Sequence, residues 1–364
     1  MAHNLATKTN DQIDVVVAEM ENSETITKTD TAAFATVVRN INEKPWHGLG
    51  TFVDKAMTSA EAIKLAGLDY HVAKSQAYVN IKGKFTKIPE KYATVRTDNG
   101  AVLGGMVGAR YQPVQNVEVF DFFDAIVGSN TAMFETAGAL GAGEVIFVTA
   151  KLPSNIVLKK NGKEDVIEQY LFLKNSHDGS SAIICDFTPV RIVCNNTLQL
   201  ALSGKSTNRV YIKHTNNAQE RLREAHKIMG MIDKSSKEIS LAFNKMVNVK
   251  VTDQKLKEYI AGVMSPRSEM ISLADFDKFY SSKVIKLTDE IFEYAQSNVS
   301  QTIVTAEGTL FGAYNAITGY YQNMKEYDDI NDKMGSLIMY DGGTAKKRSE
   351  KAFNMAVDLM GGIN

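Results

Sequence analysis

The sequence predicts an α+β protein: an antiparallel β-meander core with short helices, followed by a helical C-terminal region that contains a long heptad-patterned helix. Three observations predict it. Short runs that alternate apolar and polar residues recur between 69 and 214, with turn residues between them. The connections are mostly too short for parallel crossovers, so the strands read as antiparallel meanders. From about Asn216 the apolar residues fall at intervals of three and four instead.

The chain divides at the sequence level into a polar arm (1–44), an α+β core (45–214) and a helical part (215–364). The arm is Thr- and Asn-rich, with one apolar patch at Ile13–Val17, and is expected to be weakly ordered unless a partner holds it. A turn-rich segment around the only tryptophan, Pro45 to Gly50, opens the core. Thr58 and Glu61 have the spacing of a capping box for a short helix that Gly67 ends. Tyr70 to Ile81, Tyr92 to Arg96 and Val102 to Val107 read as strands. Lys82-Gly83-Lys84 and Asp98-Asn99-Gly100 read as the turns between them. A helix over about Asn116 to Val127 follows.

The second strand series comprises 132–137, 144–152, 156–160, 167–174, 181–186 and 190–193. Asn195-Asn196-Thr197 reads as the cap of a helix over Leu198–Leu202, and Arg209–His214 returns as a strand. Leu222, Ala225, Met229, Ile232, Ser236, Ile239, Phe243 and Met246 then form a heptad seam. Its partner is either Leu310–Met324 or the same helix of a second subunit. Further helices fit Gln254–Met264, Lys283–Ser297 and Thr344–Met360.

Composition bounds the function. The 364 residues are 44% hydrophobic and 23% charged, which suits a globular protein with a sizeable core. Two cysteines, Cys185 and Cys194, are too few for a disulfide framework and suggest a reducing cytoplasm. No apolar run approaches the roughly 20 residues that span a membrane. The start lacks the basic-then-apolar order of a signal peptide. The net charge of −1 excludes a histone-like polycation but hides blocks. Residues 1–36 are net −4, 37–100 net +4, 101–203 net −3, 204–260 net +6 and 261–364 net −4. If folding joins the two positive blocks, a basic surface results; otherwise they are two solvated faces.

Catalytic signatures are weak. Cys185 and Cys194 sit in apolar strand-like contexts and read as buried thiols. None of the six histidines has metal-site spacing, and the glycine pairs lack a nucleotide-loop pattern, so neither a metal nor a cofactor is expected. Asn175 to Ser180, with His177-Asp178, reads first as a polar turn between strands.

The richest signal is basic and aromatic. Lys74, Lys82, Lys84, Lys87, Lys91 and Arg96 face a single acid, Glu90, with Tyr78, Phe85 and Tyr92 interleaved. Lysines neutralise phosphates and exposed rings stack bases, so a hairpin of this composition suits single-stranded nucleic acid. The plainer reading is a Lys-rich edge that discourages aggregation, with the rings facing the core. Arg191, Asn195, Lys205, Arg209 and Lys213 form a second set, and Asn195 opens the expected helix, where free N–H groups hold anions.

Several motifs occur together in one order: Pro45-Trp46-His47-Gly48-Leu49-Gly50, Leu103-Gly104 to Tyr111-Gln112-Pro113-Val114-Gln115-Asn116, Glu135-Thr136-Ala137-Gly138, Asn175-Ser176-His177-Asp178-Gly179-Ser180, Thr188 to Leu198, His214-Thr215, and Gly308-Thr309 with Asn315-Ala316. In this the chain resembles the phage- and plasmid-borne LGT-type family, named for lateral gene transfer, over about Pro45 to Tyr321. That family is a domain of unknown function. The resemblance implies a mobile-element setting, which together with the cysteine count makes the host cytoplasm the expected compartment, but no reaction and no catalytic residues. The helix–meander–helix order is also similar to phage single-strand annealing proteins, an analogy at the level of fold alone.

The sequence reading is thus a single-stranded DNA-binding or annealing protein, with self-association through the heptad helix. Two alternatives stand beside it. One is an interaction or structural protein that acts on a host factor or is packaged in a virion. The other is an enzyme using His177, Asp178, Arg191 and Asn195.

Overall fold

The structure is a computed structural model. It describes residues 34–37, 51–53, 58–127, 133–181, 183–191, 196–197, 209–212, 218–266, 269–339 and 343–361. The segments 1–33 and 38–50, the expected helix over Leu198–Leu202, and Asn195, Lys205, Lys213 and His214 lie outside the described residues.

The fold is α+β, built on two sheets. The larger has the order β10 (Asn196–Thr197), β9 (Ile183–Arg191), β8 (Lys163–Ser176), β7 (Val145–Lys160), β6 (Met133–Leu140), β1 (Phe34–Val37) and β2 (Thr51–Val53). Strand β11 (Arg209–Ile212) also pairs with β9. Every pairing is antiparallel except β1 with β2. The smaller sheet is a meander of β3 (Val72–Ile81), β4 (Lys84–Arg96) and β5 (Val102–Gly108).

Three sequence expectations change. Strand β1 falls inside the segment read as a loose arm, yet it sits within the large sheet. The runs 144–152 and 156–160 are one strand, β7, interrupted by a bulge opposite β8. Asn196–Thr197, read as a helix cap, is extended and pairs with Val190 and Arg191. Backbone pairing satisfies those residues' polar groups, which a cap would leave to side chains.

Two of the bulges, one in each sheet, contain a proline and share a device. Between Lys151 and Asn155 three residues, Leu152-Pro153-Ser154, face Gln169 alone. Gln169 Nε2 donates to the Ser154 carbonyl at 2.9 Å. Between Lys87 and Tyr92 the four residues Ile88-Pro89-Glu90-Lys91 face Ala77 alone. There Gln76 Nε2 donates to the carbonyls of Ile88 (2.7 Å) and Lys91 (2.9 Å). Proline cannot donate to the ladder, so the chain leaves register at each proline. In both places a glutamine amide takes up the freed carbonyls.

The helices are α1 (Ser59–Leu65), α2 (Asn116–Val127), α3 (Ala218–Asn248), α4 (Asp253–Met264), α5 (Phe276–Phe279), α6 (Ser282–Ser297), α7 (Leu310–Gly319), α8 (Ile330–Met334) and α9 (Thr344–Leu359). The capping box of Thr58 and Glu61 is formed on α1. Helix α7 widens into a π-helical turn over Tyr320–Met324.

The two largest cores among the described residues are both reached by α3. Near its start, Ile228 packs with α1, α2 and the inner ends of β6 to β9. Further along, Ile239, Phe243 and Met246 pack against α4, α7 and α9, with Ile156, Leu158, Ile167 and Phe187 of the large sheet in the same cluster. The Phe243 ring lies 5.2 Å from Phe311 and 5.9 Å from Tyr314, both on α7. Lys160 donates to the Val247 carbonyl, and Thr305 donates to the buried Asp165. Core and helical part therefore share one interior. Arg348 and Lys351 of α9 donate to the last carbonyls of α4, where cations suit the negative end of a helix.

Candidate nucleic-acid interface

The small sheet has an anchored base and a free end. At the base, Arg96 holds Asp98 through two hydrogen bonds and donates to the Ala142 carbonyl at 2.9 Å. Its guanidinium lies 3.7 Å over the Tyr70 ring, and Tyr70 donates to the Gly143 carbonyl. A Cβ on Gly104 of β5 would come within 2.5 Å of the Asp178 backbone, so the 176–180 turn of the large sheet docks directly on β5.

The free end is a two-stranded hairpin. Strand β5 reaches only as far as Gly108, opposite Lys91. Beyond it, β3 and β4 continue as a pair from Tyr78 opposite Lys87 to Ile81 opposite Lys84. The tip is a two-residue turn with positive φ at both Lys82 (53°) and Gly83 (83°), the type I′ geometry that matches strand twist. Asn80 Oδ1 accepts from the Gly83 amide at 2.9 Å.

Register sorts the side chains into two faces, because residues opposite each other in an antiparallel pair project to the same side. One face carries Tyr78, Asn80, Phe85 and Lys87, and runs back along the hairpin to Gln76, Tyr92, Lys74 and Arg96. The other carries Val79, Ile81, Lys84 and Thr86. Both are open at the outer end: Val79, Ile81 and Phe85 are 42%, 54% and 41% exposed.

The structure divides the expected contacts. Lys82, Lys84, Lys87 and Lys91 are exposed, and among the described residues none of them has an ion pair. Lys74 and Arg96, expected as phosphate ligands, serve the fold instead. Lys74 donates to the carbonyls of Ala109 (2.6 Å) and Tyr111 (3.0 Å), because β5 turns back beside it. Tyr92, expected to stack a base, is partly buried and carries the Lys74 ammonium 4.7 Å over its ring. Tyr78 is partly buried and shares its face with Phe85.

The second cationic set is not joined to the first by strand pairing. Arg191 and Arg209 belong to the large sheet, opposite Asn196 and Asp186 respectively. Arg191 is also opposite Ile167, nine positions along β8 from Ser176, where the small sheet docks. That is about 30 Å at roughly 3.3 Å per residue. A single trough made by pairing both sets in one sheet is therefore absent from the described strands.

His177 and Asp178, the residues of the enzymatic alternative, are built into the joint between the sheets. His177 is fully buried, with Nε2 2.7 Å from Asn116 Oδ1. Asn116 Nδ2 donates to the Leu68 carbonyl, so its oxygen is the acceptor and His177 donates from Nε2. Asp178 accepts from Ser176 Oγ and from the Ser180 amide. Burial pushes its carboxyl upward, but these hydrogen bonds outweigh that and hold it below the usual carboxylate range. Burial drives the Cys185 thiol well above its ordinary value, as expected for an inert cysteine. Among the described residues no group of three or more His, Cys, Asp or Glu could hold a metal, and no helix is long and apolar enough to cross a membrane.

Sequence reasoning missed Asn80 and the Gln76 clamp. Asn80 is visible in hindsight as the residue two before a Lys-Gly turn. Nothing local marks Gln76, since its partners lie 12 and 15 residues away.

A family model described as Domain of unknown function (DUF932) matches residues 104–356. Neither a curated protein nor a solved structure matches the chain.

Proposed function

The chain belongs to the DUF932 family, and from that premise we propose that it binds single-stranded nucleic acid along the projecting β3–β4 hairpin. One observation carries the reading. The register sets the partly buried Tyr78 and the exposed Phe85 and Lys87 on one face and Lys84 on the other, with Lys82 exposed at the tip and Lys91 exposed in the bulge, and none of these lysines has an ion pair among the described residues. Unpaired lysines cost little desolvation when they meet phosphates, and rings between them offer stacking surface to any base. The hairpin projects beyond β5, so a strand can lie along it without meeting the body of the sheet.

Single strands fit better than duplex, because a stacking ring needs an unpaired base. Holding or annealing single-stranded DNA in a phage or plasmid setting, in the host cytoplasm, is part of the same reading. It rests on the ordered motifs described above; self-association through the long helix is not part of it, because Ile239, Phe243 and Met246 of the seam are buried against α4, α7 and α9 of the same chain.

The test is binding of a fluorescent oligothymidylate at low salt by the full chain and by Lys84→Glu/Lys87→Glu. Retention by the wild type and loss by the variant supports the reading. No retention by the wild type refutes it.

A further inference from the structure

We propose that the acidic segment Asp11–Glu24 of the same chain docks on the β3–β4 hairpin and competes there with nucleic acid; the competition, though not the docking, rests on the function proposed above. Charge is the first argument. Asp11, Asp14, Glu19, Glu21 and Glu24 lie between Lys8 and Lys28 with no basic residue among them. The hairpin offers Lys82, Lys84, Lys87 and Lys91 against Glu90 alone. The segment is thus a polyanion of the kind the hairpin suits. It also carries Ile13, Val15, Val16 and Val17, an apolar match for the exposed Phe85 beside Lys87, on the face proposed to take nucleic acid.

The point of attachment is the second argument. Phe34 pairs with Gly138 and Thr36 with Thr136, so the chain enters β1 beside the Gly138–Leu140 end of β6. Immediately beyond that end is the Ala142–Gly143 turn, which holds Arg96 and Tyr70 at the base of the small sheet. The described chain therefore enters β1 near the base of the hairpin. Ten positions separate Glu24 from Phe34, an extended reach of about 33 Å, and the hairpin runs about 30 Å from Val72 to Ile81. The acids can span the lysines without displacing β1.

Docking inside the chain raises the local concentration of carboxylates at the lysines, so nucleic acid must displace them. The contact weakens with salt, as exposed charge pairs do.

Two measurements on the full chain test this. Zero-length carbodiimide cross-linking followed by mass spectrometry reads contact directly and needs no nucleic acid. Links from Asp11–Glu24 to Lys82–Lys91 within one monomer, lost at about 0.5 M salt, are the expected result. Absence of such links, or links found only in a cross-linked dimer, overturns the docking. Affinity for an oligothymidylate of about 20 nucleotides is then compared with that of a variant carrying Asp11→Asn, Asp14→Asn, Glu19→Gln, Glu21→Gln and Glu24→Gln. The neutralised chain should bind about tenfold tighter at low salt. Measurable but equal affinities overturn the competition. Failure of both chains to bind refutes the nucleic-acid reading and the competition with it, while the cross-links still decide the docking.

Discussion

Lys82 occupies the first central position of a type I′ turn, where Asn, Asp and Gly are favoured because φ is positive. The corresponding turn of the large sheet, Asn161-Gly162, has the favoured pair. A lysine with φ of 53° costs of the order of 1 kcal/mol, so the tip charge is kept against the backbone's preference. Lys82→Asn should therefore raise stability by about 0.5 to 1 kcal/mol in chemical denaturation while weakening binding to a single strand. Gln76 is the opposite case, a polar side chain the fold needs. Gln76→Ala leaves the Ile88 and Lys91 carbonyls without their donor and should cost about 1–2 kcal/mol. Amide exchange in the hairpin should speed up more than in β7 and β8. Asp178 gives a pH signature. Its folded pKa lies below the unfolded value of about 3.9, so its contribution is complete above that value and disappears as the pH falls through the folded pKa. In acid titration followed by circular dichroism, the wild type should lose stability more steeply below about pH 4 than Asp178→Asn.

At the scale of elements, the hairpin shows what a sequence makes legible. Its strands and its Lys-Gly turn follow from alternation and turn chemistry, which are local. The faces do not. Reading Tyr78, Phe85 and Tyr92 together with all the lysines treats the hairpin as one surface, whereas the four-against-one bulge at Ile88–Lys91 fixes which residues share a side. Lys74 and Arg96 looked like their neighbours in sequence; Arg96 pairs locally with Asp98, but the carbonyls of Tyr111 and Ala142 that fix the two side chains come from elsewhere in the chain. The long helix α3 was legible by its period, but its surroundings were not. Ile228, which lies off the predicted seam, meets the sheet, whereas Phe243 of the seam meets α7, and the period alone names neither partner.

For the whole molecule, the shared interior is the main consequence. Cluster residues Ile156, Leu158 and Ile167 come from the large sheet, and Phe243, Tyr314 and Phe353 come from the helices. A boundary at 214/215, drawn where the periodicity changes, would cut this core. Truncating Phe243 to alanine should cost about 3–5 kcal/mol, since its ring touches Phe311, Tyr314 and Phe353. Hydrogen exchange should show lost protection in β7 around Ile156–Leu158 as well as in α7 and α9. Protection lost in the helices alone would mean that the two parts unfold separately.

The central claim is that the lysines of the free hairpin neutralise phosphates. It is tested most directly by anisotropy of a labelled oligothymidylate titrated across a salt series, with the wild type and Lys82→Glu/Lys84→Glu/Lys87→Glu compared at equal folded fraction. The hairpin account predicts wild-type affinity that falls linearly on a log–log plot. It predicts that the triple variant is weaker, with a slope shallower by about 2, from about 0.7 per lost contact on a single strand. Identical affinity and slope for the two proteins would contradict it.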